Sequence, residues 1–331
     1  MRSLLLLVLC MVLWQAATAS SVRAEVALEP VATFSIVGRD PETGDLGIAV
    51  QSKFFAVGAV VPWARADVGA VATQSFANTT YGPRGLDLLA QGLSPEAAID
   101  SLTAEDSQKA SRQVGIVDAS GLSASYTGPE CQPWAGHVTG ENFCAQGNIL
   151  VGEETVNAMG RAFQETKGML GEKLMRALEE GQKAGGDSRG VQSAAILIVR
   201  AGGGYAGYND RYCDLRVDDH TDPIGELRRI FDLWKWHALV NDGYAACEKE
   251  NWTRAFASGE DLIALDPENA ESYYHPACYF SKAGKRAEAL RALRQAVARD
   301  PALGPRARTD PDFKPLYEDP EFVQLTRDPE K

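Results

Sequence analysis

The sequence predicts an α+β domain followed by a small all-α helical repeat domain. Three observations carry that prediction. Residues 33–53, TFSIVGRDPETGDLGIAVQSK, read as two short buried strands joined by a tight hairpin; further strand and helix signals alternate up to residue 235; and a 34-residue internal repeat follows. In the hairpin, Phe34 to Val37 and Leu46 to Val50 are the strands. Asp40, Pro41 and Gly44 supply the turn: Asp40 accepts local backbone hydrogen bonds, Pro41 presets φ, and Gly44 can adopt the left-handed conformation a bulged loop needs.

Beyond the hairpin, residues 58–61 and 68–73 are apolar strand candidates with small side chains. A polar loop over 74–82 leads to a helix beginning within 85–91, and Ser94 caps a second helix whose first position is Pro95. Residues 114–118 and 122–126 flank the turn signal Asp118-Ala119-Ser120-Gly121 and pair as strands. Residues 127–146 read as a loop, 156–163 and 171–181 as amphipathic helices, the second ended by Gly181. The polar loop GGDSRGVQS, residues 185–193, then feeds an apolar strand over 194–199. Asp222-Pro223 reads as a helix cap, and the Asp-rich stretch around the lone His220 as a turn and not a metal site. No metal and no cofactor is expected.

Composition narrows the function classes. With 331 residues, 45% of them hydrophobic, the chain is long enough for two cores. A net charge of -12 repels phosphate backbones and anionic lipid, which argues against nucleic-acid and membrane-surface binding, and no membrane span is expected. Residues 1–19 read as a signal peptide: Arg2, an apolar run from Leu4 to Leu13 too short to span a bilayer, and the small residues Ala17-Thr18-Ala19. The mature protein is thus expected to be exported, periplasmic or secreted, with 20–32 a propeptide or linker. Export permits disulfides, and Cys131 and Cys144, flanking one loop, can bridge each other or stay apart. Five of six cysteines would remain after processing, so at least one stays free or pairs between chains.

The hairpin also suggests a chemistry. In an antiparallel pair the start of one strand lies beside the end of the next, which brings Thr33 near Lys53. Freed as a chain terminus, Thr33 would offer its hydroxyl as nucleophile and its own α-amine, of pKa about 7.7 to 8.0, as base. A Lys53 ammonium nearby would lower that value, because like charges disfavour protonation. A second cut, at Ala32-Thr33, is required, since removal of residues 1–19 leaves Thr33 internal. The plainer reading of Thr33 is a strand former at a strand start.

The segments TFSIVGRDPETGDLGIAVQSKFFAVGAVVPWARADVGAVATQ, YTGPEC, WAGHVTGENFCAQGNIL and GGDSRGVQSAA, in this order, resemble the family called domain of unknown function 1028. The resemblance covers residues 32–236, and that family is placed with the N-terminal-nucleophile hydrolases. It implies a four-layer αββα sandwich over residues 33–235. A more distant likeness to proteasome β subunits implies roles: Thr33 attacks a carbonyl, its amine shuttles the proton, backbone or Asn148 donors hold the oxyanion, Lys53 and Asp187 tune the amine, and Ser193 belongs to the Asp/Ser loop. Asn148 stands where those subunits have a serine.

From residue 236 to 331 the sequence turns rich in Ala, Glu, Lys and Arg. Gly243 and Ala277, Ala255 and Ala289, Leu262 and Ala296, and Asp266-Pro267 and Asp300-Pro301 are each 34 residues apart, the period of tetratricopeptide repeats. Asp310-Pro311 and Asp319-Pro320 open short capped segments at the end. Two functions follow. One is an exported amidohydrolase acting on a small amide or peptide, its repeats docking a protein partner or a second copy in a homo-oligomer. The other is a non-catalytic scaffold whose repeats recognise a peptide or cell-envelope partner.

Overall fold

The computed structural model describes residues 33–327, which belong to one compact unit. Residues 1–19, read from sequence as a signal peptide, with Cys10, and residues 20–32, read as a propeptide or linker ending at the expected cut, lie outside the described residues.

The first part of the chain is mixed α+β with two antiparallel sheets. One has six strands in the order β10-β9-β2-β1-β8-β7, where β1 is Thr33–Arg39, β2 Leu46–Ser52, β7 Gly136–Gly140, β8 Phe143–Gly147, β9 Ser193–Val199 and β10 Arg211–Val217. The other is β3-β4-β5-β6, formed by Pro62–Arg65, Gly69–Ser75, Arg112–Asp118 and Ser123–Thr127. The β1–β2 turn forms as its residues dictate. Asp40 Oδ1 accepts from the Glu42 and Thr43 N–H groups at 2.9 and 3.3 Å, and Gly44 sits at φ 78°.

Strand alternation decides what each face buries. Val37, Ile48 and Val50 of the larger sheet meet Ala70, Ala72 and Val117 of the smaller one in a shared apolar layer. On the far face, Phe34, Ile36 and Ala49 pack against Met159 and Phe163 of helix α3 (Glu154–Glu165) and Leu174 and Leu178 of α4 (Leu170–Lys183). Val71, Val114 and Ile116 of the smaller sheet are covered by Tyr81, Leu86, Leu89, Ile99 and Leu102, from α1 (Tyr81–Ala90) and α2 (Pro95–Ala104). Each fully buried large aliphatic or aromatic side chain contributes about 1.5–3 kcal/mol.

Several expectations need correction. Residues 58–61 form no strand: Gly58 and Ala59 end a 3-10 turn, Val57–Ala59, and the strand follows as β3. The loop expected over 127–146 holds β7 and β8, and β10 had no sequence signal at all. β7, GHVTG, alternates between half-buried and exposed with a single large apolar residue, so it lacks the pattern that marks a strand. Gly181 lies inside α4, which runs to Lys183; a Cβ there would stand 2.7 Å from Met159, so the glycine serves close packing and not termination. Cys131 and Cys144 do not bridge, and the five described cysteines are all free and buried. The Cys131 thiol donates to Arg112 O at 3.3 Å and the Cys144 thiol to Ile116 O at 3.7 Å, positions four residues apart on β5 and so about 13 Å distant. Burial pushes the Cys144 thiol up to about 12, which makes it inert.

A single helix, α5 (Pro223–Glu248), leads out of the sheet region, capped by Asp222 Oδ1 on the Gly225 N–H at 3.1 Å. Its Ile224, Leu227 and Phe231 join the core beneath α4, whereas Leu239, Ala246 and Cys247 belong to a second core. The change of composition at residue 236 therefore falls within one continuous helix. α6 (Trp252–Leu265), α7 (Glu271–Lys282) and α8 (Arg286–Arg299) complete that second core, with Ala255, Leu262, Ala277, Ala289 and Ala296 fully buried. α9 (Leu303–Ala307), a 3-10 segment Pro311–Leu316 and α10 (Pro320–Leu325) close it, the last two capped by Asp310 and Asp319. No described helix is long and apolar enough to cross a membrane.

Gly243 of α5 tests this packing. A Cβ there would meet the Tyr279 ring at 2.5 Å, and that ring is held by its hydroxyl on Val240 O at 3.0 Å. Gly243→Ala gains about 1 kcal/mol of helix propensity but incurs about 1–3 kcal/mol of overpacking. We expect net destabilisation, read as a lower melting temperature; an unchanged or raised one contradicts the packing.

Candidate functional site

The β1–β2–β9 register sets three hydroxyls in one row. Thr33 pairs with Ser52, and Ser52 pairs with Ser193. On the other side of β1, Phe34 pairs with Gly147, which places Thr33 opposite Asn148, whose N–H donates to Thr33 O at 3.0 Å. Residues opposite one another share a face, so these four side chains lie on the face that looks toward the smaller sheet, and all four have 0% exposure. Thr33 Oγ1 donates to Ser52 Oγ at 3.1 Å. Ser193 Oγ donates to Phe54 O at 2.5 Å and accepts from the Val57 N–H at 3.1 Å, fixing the segment after β2.

Opposite this row the smaller sheet contributes two glutamines. Gln74 and Gln113, paired across β4 and β5, are both fully buried. Gln74 Nε2 donates to Gln113 Oε1 at 2.8 Å and to Thr33 O at 3.3 Å, while its Oε1 accepts from Ser35 Oγ at 2.6 Å. Gln146 Nε2 donates to the same Ser35 Oγ at 2.6 Å. Gln113 Oε1 also accepts from Asn148 Nδ2 at 2.9 Å, and Gln113 Nε2 donates to Gly147 O at 2.8 Å and Thr127 Oγ1 at 2.9 Å. Gly115 makes room for the network, since a Cβ there would stand 2.1 Å from Gln146 Oε1. Asn148 Oδ1 is buried with no partner.

Of the residues singled out from sequence, Thr33, Asn148 and Ser193 stand in this row. Lys53 and Asp187 come together beside it: the Lys53 N–H donates to Asp187 Oδ2 at 3.1 Å. Asp187 is buried and also takes the Arg189 N–H at 2.9 Å and its guanidinium at 2.9 Å. The Lys53 side chain is exposed, its ammonium on Val191 O at 3.3 Å. Sequence reading missed Ser35, Ser52, Gln74, Gln113 and Gln146. A signal existed, because Gln51-Ser52 and Gln74-Ser75 end otherwise apolar strands, and Gln113 and Gln146 stand at the matching ends of β5 and β8. Among the described residues no cluster of three or more His, Cys, Asp and Glu could hold a metal ion.

A charged cluster braces the neighbouring loop. Arg112, one residue before Gln113, donates through Nε to Asp106 at 2.9 Å, through Nη2 to Gln108 Oε1 at 2.7 Å and through Nη1 to Phe76 O. Asp106 also accepts from Asn78 Nδ2 at 3.1 Å and Tyr81 OH at 3.0 Å. Burial alone would raise the Asp106 carboxyl, but hydrogen bonds from Arg112, Asn78, the Gln108 N–H and Tyr81 outweigh it and hold it well below the usual carboxylate range.

This is a mixed α+β protein of two antiparallel sheets with a polar, hydroxyl-lined end between them. By sequence profile, residues 33–227 match a family of unknown function, DUF1028, and the chain belongs to that family. Among solved structures it is similar to the crystal structure of protein SPO2555 from Silicibacter pomeroyi, a DUF1028 protein, with 34% identity, TM-score 0.56, and coverage of 60% of this chain and 84% of that one. No functionally curated protein matches.

Two predictions follow from this geometry. Gln113→Ala strands the Asn148, Gln74 and Thr127 partners, at about 1–3 kcal/mol for each buried group left unpaired, so the denaturant midpoint should fall clearly; an unchanged midpoint contradicts the network. For Asp106, whose folded pKa is depressed, the stabilisation is complete above the unfolded value of about 3.9 and is lost as pH falls toward the folded value. The Asp106 and Arg112 side chains are each 10% exposed, so Asp106→Asn should cost about 3–5 kcal/mol at pH 7. Its deficit against wild type should shrink below pH about 4, as urea melts at several pH values would show; a constant deficit contradicts the assignment.

Proposed function

We propose that this protein is an exported amidohydrolase of the N-terminal-nucleophile type, with Thr33 as the residue that attacks the amide carbonyl after the Ala32-Thr33 bond is cut. The observation that carries this reading is the row itself. Thr33 starts a central strand, its hydroxyl bonded to Ser52 at 3.1 Å, among buried neutral donors and acceptors between two sheets. The DUF1028 match also opens at Thr33. We read the packing of helices, sheet, sheet and helices as the four-layer αββα sandwich of that class. In the mechanism, the Thr33 α-amine takes the hydroxyl proton as the oxygen attacks, and returns it to the leaving amine. Lys53 and Asp187 act through the loop that borders the row.

The repeated helix ends, Glu248 and Lys282, Trp252 and Arg286, Leu265 and Arg299, each 34 residues apart, support reading 236–331 as tetratricopeptide-like repeats. We assign them the docking of a protein partner or of a second copy. The non-catalytic scaffold reading has one observation in its favour. Thr33 has no exposed surface, and two described grooves, of about 350 and 320 Å³, lie elsewhere, at Arg161, Glu165, Arg176 and Glu180 and at Asp67, Leu89, Leu93 and Asp118.

The mature amino terminus separates the two readings. Intact-mass measurement of purified protein should find a chain beginning at Thr33, and Thr33→Ala should leave the bond uncut. Full-activity material in which Thr33 remains internal would overturn the hydrolase reading.

A further inference from the structure

The amide network between the sheets reaches the surface at a titratable side chain. Gln113 Nε2 donates to Thr127 Oγ1 at 2.9 Å, and Thr127 Oγ1 lies 2.9 Å from Nδ1 of the exposed His137. The direction of the second bond follows from the first. Gln113 is held in one orientation, because its Nε2 also donates to Gly147 O at 2.8 Å while its Oε1 accepts from Gln74 Nε2 at 2.8 Å and Asn148 Nδ2 at 2.9 Å. The Thr127 hydroxyl therefore accepts from Gln113, and its single hydrogen finds an acceptor in His137 Nδ1. Only a ring without a proton on Nδ1 can take that hydrogen, so the neutral imidazole carries its own proton on Nε2.

That bond closes a loop. Thr127 ends β6 and His137 lies at the start of β7, so the pair ties together the two ends of residues 128–136. The loop runs along both segments that carry the amides of the site. On one side the Gly128 N–H donates to Arg112 O at 2.9 Å and the Glu130 N–H to Ala110 O at 2.7 Å, just before Gln113. On the other the Ile149 N–H donates to Gln132 O at 3.0 Å, and Leu150 and Trp134 exchange N–H···O bonds at 3.0 and 3.4 Å, just after Asn148. What faces His137 from the neighbouring strands is neutral: Gln146 opposite it on β8, and Ser125, bonded to Gln146, and Thr127 on β6. Tyr126 turns its hydroxyl to Lys109 O, and the loop itself carries the exposed Glu130 and the buried Cys131, whose thiol is on Arg112 O. Helix α3, with Glu154, Arg161 and Glu165, packs on the opposite face of β7, where Val138 meets Gly160. Partial burial lowers the His137 imidazole below its ordinary value, and a bond accepted by the neutral ring acts in the same direction.

We infer that Thr127 and His137 form a pH-sensitive clasp: the neutral ring holds the loop 128–136 against the segments of Gln113 and Asn148, and protonation of Nδ1 loosens it. Once Nδ1 carries a proton, two donors, Gln113 Nε2 and His137, converge on one hydroxyl, and the Thr127 hydrogen loses the acceptor it had. The folded imidazole titrates below its unfolded value, so the clasp is complete above about pH 6.5 and is lost as pH falls through the folded value. The loop so loosened is bonded to the residue after Asn148, which couples the border of the candidate site to pH. The clasp is independent of whether Thr33 becomes a chain terminus.

The test is made by NMR on the full-length protein as purified. It follows the titration of His137 through its ring protons, and the exchange of the Trp134, Ile149 and Leu150 amides at about pH 7.5 and about pH 5, corrected for the intrinsic dependence of exchange on pH. The wild-type midpoint should lie below about 6.5; Thr127→Val, which removes the hydroxyl, should raise it by about half a pH unit, and Thr127→Ser should leave it in place. The three amides should exchange about three- to tenfold faster at the lower pH, the loss of one hydrogen bond. His137→Asn, whose side-chain oxygen replaces Nδ1 as an acceptor and does not titrate, should abolish that difference. A midpoint at or above about 6.5, a midpoint that Thr127→Val does not move, or the same acid acceleration in His137→Asn overturns the inference. Should Thr127→Val fail to fold, the wild-type midpoint and the exchange of His137→Asn decide. A chain in which Thr33 stays internal removes the hydrolase reading and leaves the clasp standing; a processed chain whose His137 titrates at its ordinary value removes the clasp only.

Discussion

Hydrogen bonding between two packed sheets is the constraint on which the architecture depends. At one end of the interface the facing side chains are aliphatic, Val37, Ile48, Val50, Ala72 and Val117, and could slide past one another at modest cost. At the other end Thr33, Ser35, Gln74, Gln113, Gln146 and Asn148 hydrogen-bond to one another in a space without exposure, Asn148 Oδ1 alone among these side-chain atoms being left without a partner. A one-residue slip of β1 would turn Thr33 and Ser35 toward α3 and α4 and push Phe34 into the amide network. Each stranded amide would then cost about 1–3 kcal/mol, so the polar half specifies a register that the apolar half stabilises.

That division explains how much could be seen in the sequence. The β1–β2 hairpin was legible because its turn residues have individual jobs, which Asp40 and Gly44 perform. Ser94 and Asp222 were legible as caps for the same reason, each accepting from an N–H three residues on. β7 and β10 were not, because an edge strand needs only one apolar side: β7 leaves His137 and Thr139 exposed, and β10 carries Arg211, Asp214 and Arg216, which pair among themselves. The site divided in the same way. Thr33, Asn148 and Ser193 were reachable through resemblance, whereas the glutamines that orient them act across the sheet interface, a relation that no spacing along the chain encodes. Lys53 was placed near Thr33 by strand order alone, but alternation gives the position opposite Thr33 to Ser52 and leaves the Lys53 ammonium at the surface.

The helix that the two cores share is itself pinned to the first of them. Arg228 of α5 reaches Glu179 at 2.7 Å and Glu172 at 3.0 Å on α4, and Lys235 reaches Glu172 at 3.1 Å. These side chains are about one-fifth exposed, and burial, which would raise the Glu172 carboxyl, is outweighed by Arg228 and Lys235, so it is held low. The first turns of α5 are thereby fixed to α4, whose other face covers β1 and β2.

The most direct measurement is a crystal structure of the protein purified from an exporting host. If Thr33 is the nucleophile, the chain starts at Thr33, with its hydroxyl beside Ser52 and Asn148 Nδ2 held on Gln113 Oε1. Continuous density from Ala32 into Thr33 in active material would contradict it.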